Sequence, residues 1–376
     1  MPKHDKRLIY PQYPKNQVRR AGESVRNGNL NPEAEKIIEN WRCSHNHILN
    51  TWLVIFIKRI QNEGFKAVVG QRLKRKNTIY DKLTRPETNK MSLERMYDIA
   101  GCRIVLDTLG DLYDFRDSII NSTRFYHKRI KKYHKNYIRN PKGSGYRGIH
   151  DVYSYQCDPK RTSNNWNGLF IEIQYRTKYQ HAWSTAVEIA DIIKHSRTKF
   201  SDVADKEQNI YFQYASEIIA RVYEDSKSCC PDMSDAELVS NFLALESKLN
   251  MLKILGSMKV LKMDIPESYK RALIIRLYSE NNEIKIEVHT FKSTAAANRR
   301  LFELEKAHPD DDIVLVKADK VSSIKNIFKN YFVDAGDFVK YIKEGIKALH
   351  EGRRLIDVAP DAKRKRKTAQ LALFEE

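Results

Sequence analysis

Apolar residues recur at helical spacing in Ile37, Ile38, Trp41, Ile48, Leu49, Trp52, Ile55, Phe56 and Ile60, between an Asn31-Pro32 start and Asn62-Glu63-Gly64. A capping residue followed by proline marks a helix N-terminus, and the period predicts one long helix packed on a sheet. Strand patterns follow. Phe65 to Val69 is short and runs into Arg72-Leu73-Lys74-Arg75-Lys76, with a helix expected from about Thr78. Ile99 to Leu106 is apolar and precedes a helical pattern from Asp111 to Ile120. Ile149 to Gln156 and Leu169 to Tyr175 flank a segment rich in Asn, Pro and Gly, and Tyr179 to His195 is helical again. The expected fold is α/β (α+β): a mixed sheet surrounded by helices over residues 31–200.

Beyond it the period stays helical over 201–262, with Ile210, Phe212, Ile218, Ile219 and Val222 on one stretch. Ala272 to Ser279 and Glu283 to Thr290 flank Asn281-Asn282, a hairpin signal. A helix from about Ser293, a strand from Ile313 to Lys317 and two more helices give a small ββαβαα domain over 263–346. Residues 1–30 show no clear period and are expected as a basic arm, with 347–376 as a basic tail.

At 376 residues with 41% hydrophobic content the chain is long enough to bury a sizeable core and a second, smaller one. No apolar run approaches the roughly 20 residues of a membrane span, and no signal-peptide pattern opens the chain, so the cytoplasm is the expected compartment. Five cysteines, two of them adjacent, form neither a metal nor a disulfide framework. The net charge of +19 changes the picture more. From Arg124 to Arg147 there are nine Lys or Arg and no acid, and the run Lys363 to Lys367 is wholly basic. Charge gathered in this way favours a phosphate-rich ligand over a merely solvated surface.

Three common signatures are missing: GxxxxGK[ST], strand-linked GxGxxG and HExxH. Phosphates must then be held by side-chain cations. Asp98 stands at the entry of an apolar strand, and Glu172 lies inside Phe170-Ile171-Glu172-Ile173-Gln174. By strand alternation Glu172 and Gln174 share a face opposite Ile171 and Ile173. A glutamate there needs an open site or a partner, and Arg176 or Arg103 would serve as a structural one. Magnesium needs one or two carboxylates plus phosphate oxygens, which Asp98 and Glu172 would supply. The cations at Arg72 to Lys76 oppose the dipole of the helix they precede, which favours an anion there. Glycines on both sides of Tyr146 would let its ring enter a pocket beside cations, although an ordinary turn with a surface tyrosine is equally consistent.

The order of five motifs goes further. Arg-x-Lys, Asp-Ile-Ala-Gly-x-Arg, Pro-Lys-x-x-Gly-Tyr-Arg-x-x-His, Glu-Ile-Gln-x-Arg-Thr and Gln-His-Ala-Trp follow one another in this chain. The set resembles the synthetase domain of the RelA/SpoT alarmone enzymes over roughly residues 40 to 225. That resemblance implies transfer of pyrophosphate from ATP to the 3′-hydroxyl of GDP or GTP, with AMP leaving and Mg2+ as cofactor. It assigns Asp98 and Glu172 to the metal and the catalytic step, and Arg72, Lys74, Arg75 and Arg103 to ATP. Lys142, Tyr146, Arg147, His150, Gln174, Arg176 and His181 fall on the acceptor side. Asn136, Gly148 and Thr78 depart from the common Asp, Ser and Ser of the family. The metal-dependent hydrolase domain of long members is expected to be absent.

Two other readings stay open. One is a toxin-like relative that modifies the 3′ end of tRNA by the same chemistry, which the basic stretches would suit. The other is an inactive nucleotide- or RNA-binding module, against which the presence of both carboxylates argues. All five motifs precede residue 185, so the C-terminal domain is expected to supply no catalytic group. Regulation through a partner, self-inhibition and homo-oligomerisation are left open by the sequence.

Overall fold

The computed structural model describes residues 9–86, 91–122, 126–196, 202–256, 272–280, 283–291, 294–308, 311–316 and 335–356. The long helix is α2 (Pro32–Glu63), whose Asn31 cap accepts from the Ala34 amide at 2.8 Å and whose end is Gly64 in the left-handed region. Its apolar face buries Ile38, Trp41, Ile48, Trp52 and Phe56. A six-stranded mixed sheet supplies the other side of this core, in the order β1 (Ala67–Leu73), β2 (Ala100–Leu106), β6 (Phe170–Thr177), β5 (Ile149–Ser154) and β3 (Lys128–Arg129), with β4 (Lys135–Asn136) also on β5. β2 and β6 run parallel and the other pairs antiparallel. Along β6 the residues Ile171, Ile173 and Tyr175 are fully buried while Phe170, Glu172 and Gln174 are only half-buried, so one face is core and the other opens. The helices α3 (Lys76–Thr84) and α4 (Leu109–Ile120) connect these strands.

Residues 15–26 are not an arm: Lys15–Arg26 is helix α1, with Val18, Ala21, Gly22 and Val25 buried. Its apolar stripe is narrow and built of small residues, so the surrounding lysines and arginines hide the period. A Cβ at Gly22 would come within 2.8 Å of Leu93 Cβ, which shows how closely α1 is seated. β1 also reaches Leu73, four residues past the expected end, which places Arg72 on the strand rather than in a loop.

A layer of helices follows: α5 (Lys178–Ser196), α6 (Asp202–Tyr223), α7 (Asp235–Leu249) and α8 (Met251–Gly256). The small C-terminal unit is a three-stranded antiparallel sheet, β8 (Glu283–Phe291), β7 (Ala272–Glu280) and β9 (Asp312–Val316), with α9 (Thr294–Ala307) packed on it. Its core holds Ile274, Ala297, Leu301, Leu304 and Ile313. Asn281-Asn282 and the first of the two expected final helices lie outside the described residues.

The last helix, α10 (Ala335–His350), departs from the sequence expectation that grouped it with the small unit. Its Phe338, Val339, Ile342, Ala348 and Leu349 join the core of the α5–α8 layer. The Leu355 amide donates to the Val222 carbonyl at 2.7 Å beyond it. Amphipathic patterning marks which face of a helix is buried, but not which neighbour buries it.

Candidate active site

The open face of the sheet collects the predicted residues in register. Arg72 on β1 lies opposite Gly101 on β2, and Gly101 lies beside Glu172 on β6. With no side chain between them, Arg72 and Glu172 flank a gap. One step along, Arg103 is beside Gln174, and Gln174 is opposite His150 on β5.

On one side of the gap, the Lys74 amide donates to the Ile99 carbonyl at 2.8 Å and so continues the β1–β2 pairing to the entry of β2. Asp98 sits at that entry. Its Oδ2 accepts from Lys74 Nζ at 3.0 Å and from Lys82 Nζ of α3 at 2.8 Å. Burial alone would raise the Asp98 carboxyl, but the two ammonium groups overcome it and hold it below the ordinary carboxylate value. Lys74 is pushed down from its usual value, chiefly by burial. The Tyr97 ring stacks on Tyr133 with centroids 4.7 Å apart, and Lys82 Nζ lies 5.3 Å from its centre. Burial, then the charges of Glu172 and Asp98, push the Tyr97 hydroxyl up to about 12.

On the other side five side chains close a ring of hydrogen bonds. Arg176 Nη2 donates to the Tyr146 hydroxyl and to Gln174 Oε1, each at 3.1 Å. The Tyr146 hydroxyl meets His150 Nε2 at 2.6 Å, and His150 Nδ1 meets Glu172 Oε1 at 3.1 Å. Gln174 Nε2 donates to Glu172 Oε2 at 2.8 Å and completes the circuit. Burial pushes the Glu172 carboxyl up, but the hydrogen bond and charge of His150, followed by Gln174, leave it lowered; the Asp98 charge opposes them. The partners of Glu172 are thus His150 and Gln174 rather than the Arg176 or Arg103 that a structural ion pair would use.

Tyr146 is held from both directions. Lys142 Nζ and the Arg176 guanidinium lie 5.2 and 5.1 Å from its ring centre. Gly145, at φ +90°, seats the loop against α6, where Ser216 Oγ donates to its carbonyl at 2.6 Å. A Cβ there would meet Ser216 Cβ at 3.0 Å and Trp183 at 3.2 Å, in a backbone conformation that disfavours any side chain. The Arg176 Nε and Nη1 atoms are buried and meet no acceptor among the described residues.

Other expected site residues lie elsewhere. Arg147 turns away into a buried ion pair with Glu224, which also accepts from Thr177 Oγ1 at 2.5 Å and Gln180 Nε2 at 3.0 Å. Arg75 donates through Nη1 to the Asp311 carbonyl of the C-terminal unit at 2.9 Å. Arg103 Nη2 is 3.7 Å from Glu188 Oε1 on α5, and His181 is buried on that same helix. Lys82, Tyr97 and Tyr133 are not among the residues the sequence pointed to. Only Tyr97, beside Asp98, had a neighbour in sequence that pointed to it. Outside the gap, the basic stretch leaves Lys128, Lys131, Lys132, Lys135, Arg139 and Lys142 exposed. No helix among the described residues is long and apolar enough to cross a membrane.

The mixed sheet of this α+β domain presents two half-buried carboxylates between groups of cations and tyrosines. Residues 71–199 match the family model described as the region found in RelA / SpoT proteins. The GTP pyrophosphokinase YjbM of Bacillus subtilis is 29% identical over 168 residues, which is 44% of this chain and 72% of that one. The GTP pyrophosphokinase of Escherichia coli K12 is 25% identical over 146 residues, 39% of this chain and only 17% of the relative. The small alarmone synthetase 1 of Bacillus subtilis bound to its product pppGpp aligns at 23% identity and a TM-score of 0.40, covering 51% of this chain and 93% of that one. Over residues 71–199 the chain is thus similar to the RelA/SpoT proteins.

Proposed function

We propose that this chain is an ATP-dependent pyrophosphokinase that transfers the β,γ-pyrophosphoryl group of ATP to the ribose 3′-hydroxyl of GDP or GTP and releases AMP. The observation that supports this most directly is the pair of coupled carboxylates, Asp98 and Glu172, set between a lysine pair on one side and the Tyr146–His150 circuit on the other. Arg72 and Lys74 bind the donor phosphates, with Arg103 beside them. Tyr146 stacks on the acceptor base, and the unpaired N–H groups of Arg176 receive an acceptor phosphate. Glu172, held ionised and oriented by His150 and Gln174, takes the proton of the attacking hydroxyl.

The residues present fit a divalent cation. Asp98 Oδ1 is buried without a hydrogen-bond partner, and two lysines neutralise the other oxygen of the same carboxylate. Among the described residues no cluster of three or more His, Cys, Asp or Glu forms a closed metal cage. That suits magnesium, which takes one or two carboxylates and leaves its other positions to phosphate and water. Asp98 and Glu172 would hold it, and it would neutralise charge on the transferring phosphates. The protein's own cations orient the phosphates for in-line attack.

A second reading is supported by the exposed ribbon Lys128, Lys131, Lys132, Lys135 and Arg139 beside the acceptor strands. Under it the same chemistry acts on the 3′ end of tRNA, whose backbone the ribbon would follow. Incubation with γ-labelled ATP and, separately, GDP, GTP and total tRNA at low and moderate salt decides between them. Label in a guanine nucleotide supports the first reading. Label in tRNA alone, falling steeply with salt, replaces it with the second.

A further inference from the structure

Arg42 of α2 is 1% exposed, and a buried guanidinium persists only when its N–H groups are matched. Its Nε donates to the Lys74 carbonyl at 2.7 Å, Nη1 faces Glu39 Oε1 at 3.4 Å and Nη2 donates to Glu305 Oε1 of α9 at 2.9 Å. The Lys74 carbonyl belongs to the residue whose ammonium holds Asp98. The next residue, Arg75, donates to the Asp311 carbonyl of the C-terminal unit. Asp311 is itself anchored by Arg276 Nε at 2.5 Å. Two consecutive residues of the donor segment are therefore tied to the C-terminal unit, one through Arg42 and one directly. The small unit buries its own apolar core and offers the donor segment charged and polar groups. Such contacts have direction, so they fix position rather than fill space.

We infer that Arg42 is a positioning residue for the ATP side of the site, and that Glu305 makes the C-terminal unit part of the support that presents Lys74 to Asp98 and the donor phosphates. The inference rests on the pyrophosphokinase reading. It assigns the C-terminal unit an effect on the donor while leaving the acceptor side untouched, because among the described residues its hydrogen bonds to the catalytic domain run to Arg42 and Arg75 and none to the Tyr146–Glu172 circuit.

The test uses the full chain with Glu305→Gln, Arg42→Gln, the double variant and Asp98→Asn. Calorimetry with a non-hydrolysable ATP analogue and Mg2+ gives donor affinity without turnover, and steady-state kinetics give KM for donor and acceptor separately. Arg42→Gln should weaken the analogue and raise the ATP KM by roughly tenfold, the scale of one charge-assisted hydrogen bond. Glu305→Gln should act in the same sense but less, and the double variant should be no worse than Arg42→Gln, since Glu305 acts through Arg42. Acceptor KM should not move. A purely structural role would lower the melting temperature and the active fraction and leave both KM values alone, which overturns the inference. So do additive effects, or an equal shift in acceptor KM. If Arg42→Gln does not fold, Glu305→Gln decides by itself, because the amide keeps the shape and one hydrogen bond. Asp98→Asn separates the two failures: an active Asp98→Asn overturns the pyrophosphokinase site, whereas an inactive one beside silent Arg42 and Glu305 variants overturns only the positioning role.

Discussion

His150 Nδ1 lies 3.1 Å from Glu172 Oε1 while the opposite ring nitrogen meets the Tyr146 hydroxyl at 2.6 Å. The carboxylate accepts, so Nδ1 carries a proton in this pair, and the other edge of the ring holds the tyrosine hydroxyl. The Tyr146 ring and the Glu172 carboxylate are thereby oriented by one chain of hydrogen bonds.

Tyr146→Phe and Tyr146→Ala separate the two duties of that residue. Phenylalanine keeps the ring but cuts the chain, so kcat should fall with little change in the KM for the acceptor. Alanine also removes the stacking surface, and KM should rise by roughly tenfold or more, as expected for losing a base–aromatic stack. A Phe variant with the wild-type kcat contradicts the role given to the circuit.

Asp98→Asn and Glu172→Gln should each lower turnover by roughly a hundredfold or more, because general-base and metal-binding duties need an ionised oxygen. Both variants should still fold and melt cooperatively, since both carboxylates line an opening rather than the core. Near-native turnover in either variant sinks the assignment.

The carboxylates could be read from the sequence for a physical reason. An acid placed between Ile171 and Ile173 is improbable on a packed face, and β6 does alternate as that pattern implies. α2 announced itself through Asn31, Pro32 and Gly64, three local signals that need no partner. Lys82 gave no such signal, because its role depends on α3 folding back over the entry of β2. Arg147 misled in the opposite way: it adjoins Tyr146 in the chain, yet its side chain is buried against Glu224. Tertiary placement decided both.

Asp151 is fully buried and gathers Arg116 Nε at 2.7 Å, Arg129 Nε at 2.9 Å and His134 Nδ1 at 3.0 Å. Burial would raise its carboxyl, but Arg116 and then Arg129 hold it below the ordinary value. A folded-state value below the unfolded one, about 3.9, means the stabilisation is present above that pH and lost as pH falls through the folded value. Asp151→Asn should therefore destabilise by about 3 kcal/mol near neutrality, the cost of leaving partly buried cations without their anion, and should flatten the acid limb of the stability curve. Denaturant titrations at neutral and acidic pH provide the check. An equal loss at both would contradict the linkage.

Removing everything after residue 262 deletes α10 along with the small unit, although all five motifs remain. Phe338 and Ile342 are fully buried in the helical layer, so the truncation exposes the apolar faces of α6, α7 and α8. Phe338→Ala alone should cost about 3–5 kcal/mol. The truncated protein should melt lower and bind more of a hydrophobic dye than the full chain. A truncation as stable as the parent would show that α10 is dispensable.

The central claim is the transfer of an intact pyrophosphoryl group, and ATP labelled at both the β and γ phosphates tests it most directly. With GDP or GTP as acceptor, AMP should appear in a one-to-one ratio with a product that carries both labels on its 3′-oxygen. ADP formed alongside a product bearing the γ label alone, or an acceptor carrying the AMP moiety with pyrophosphate released, would contradict the account.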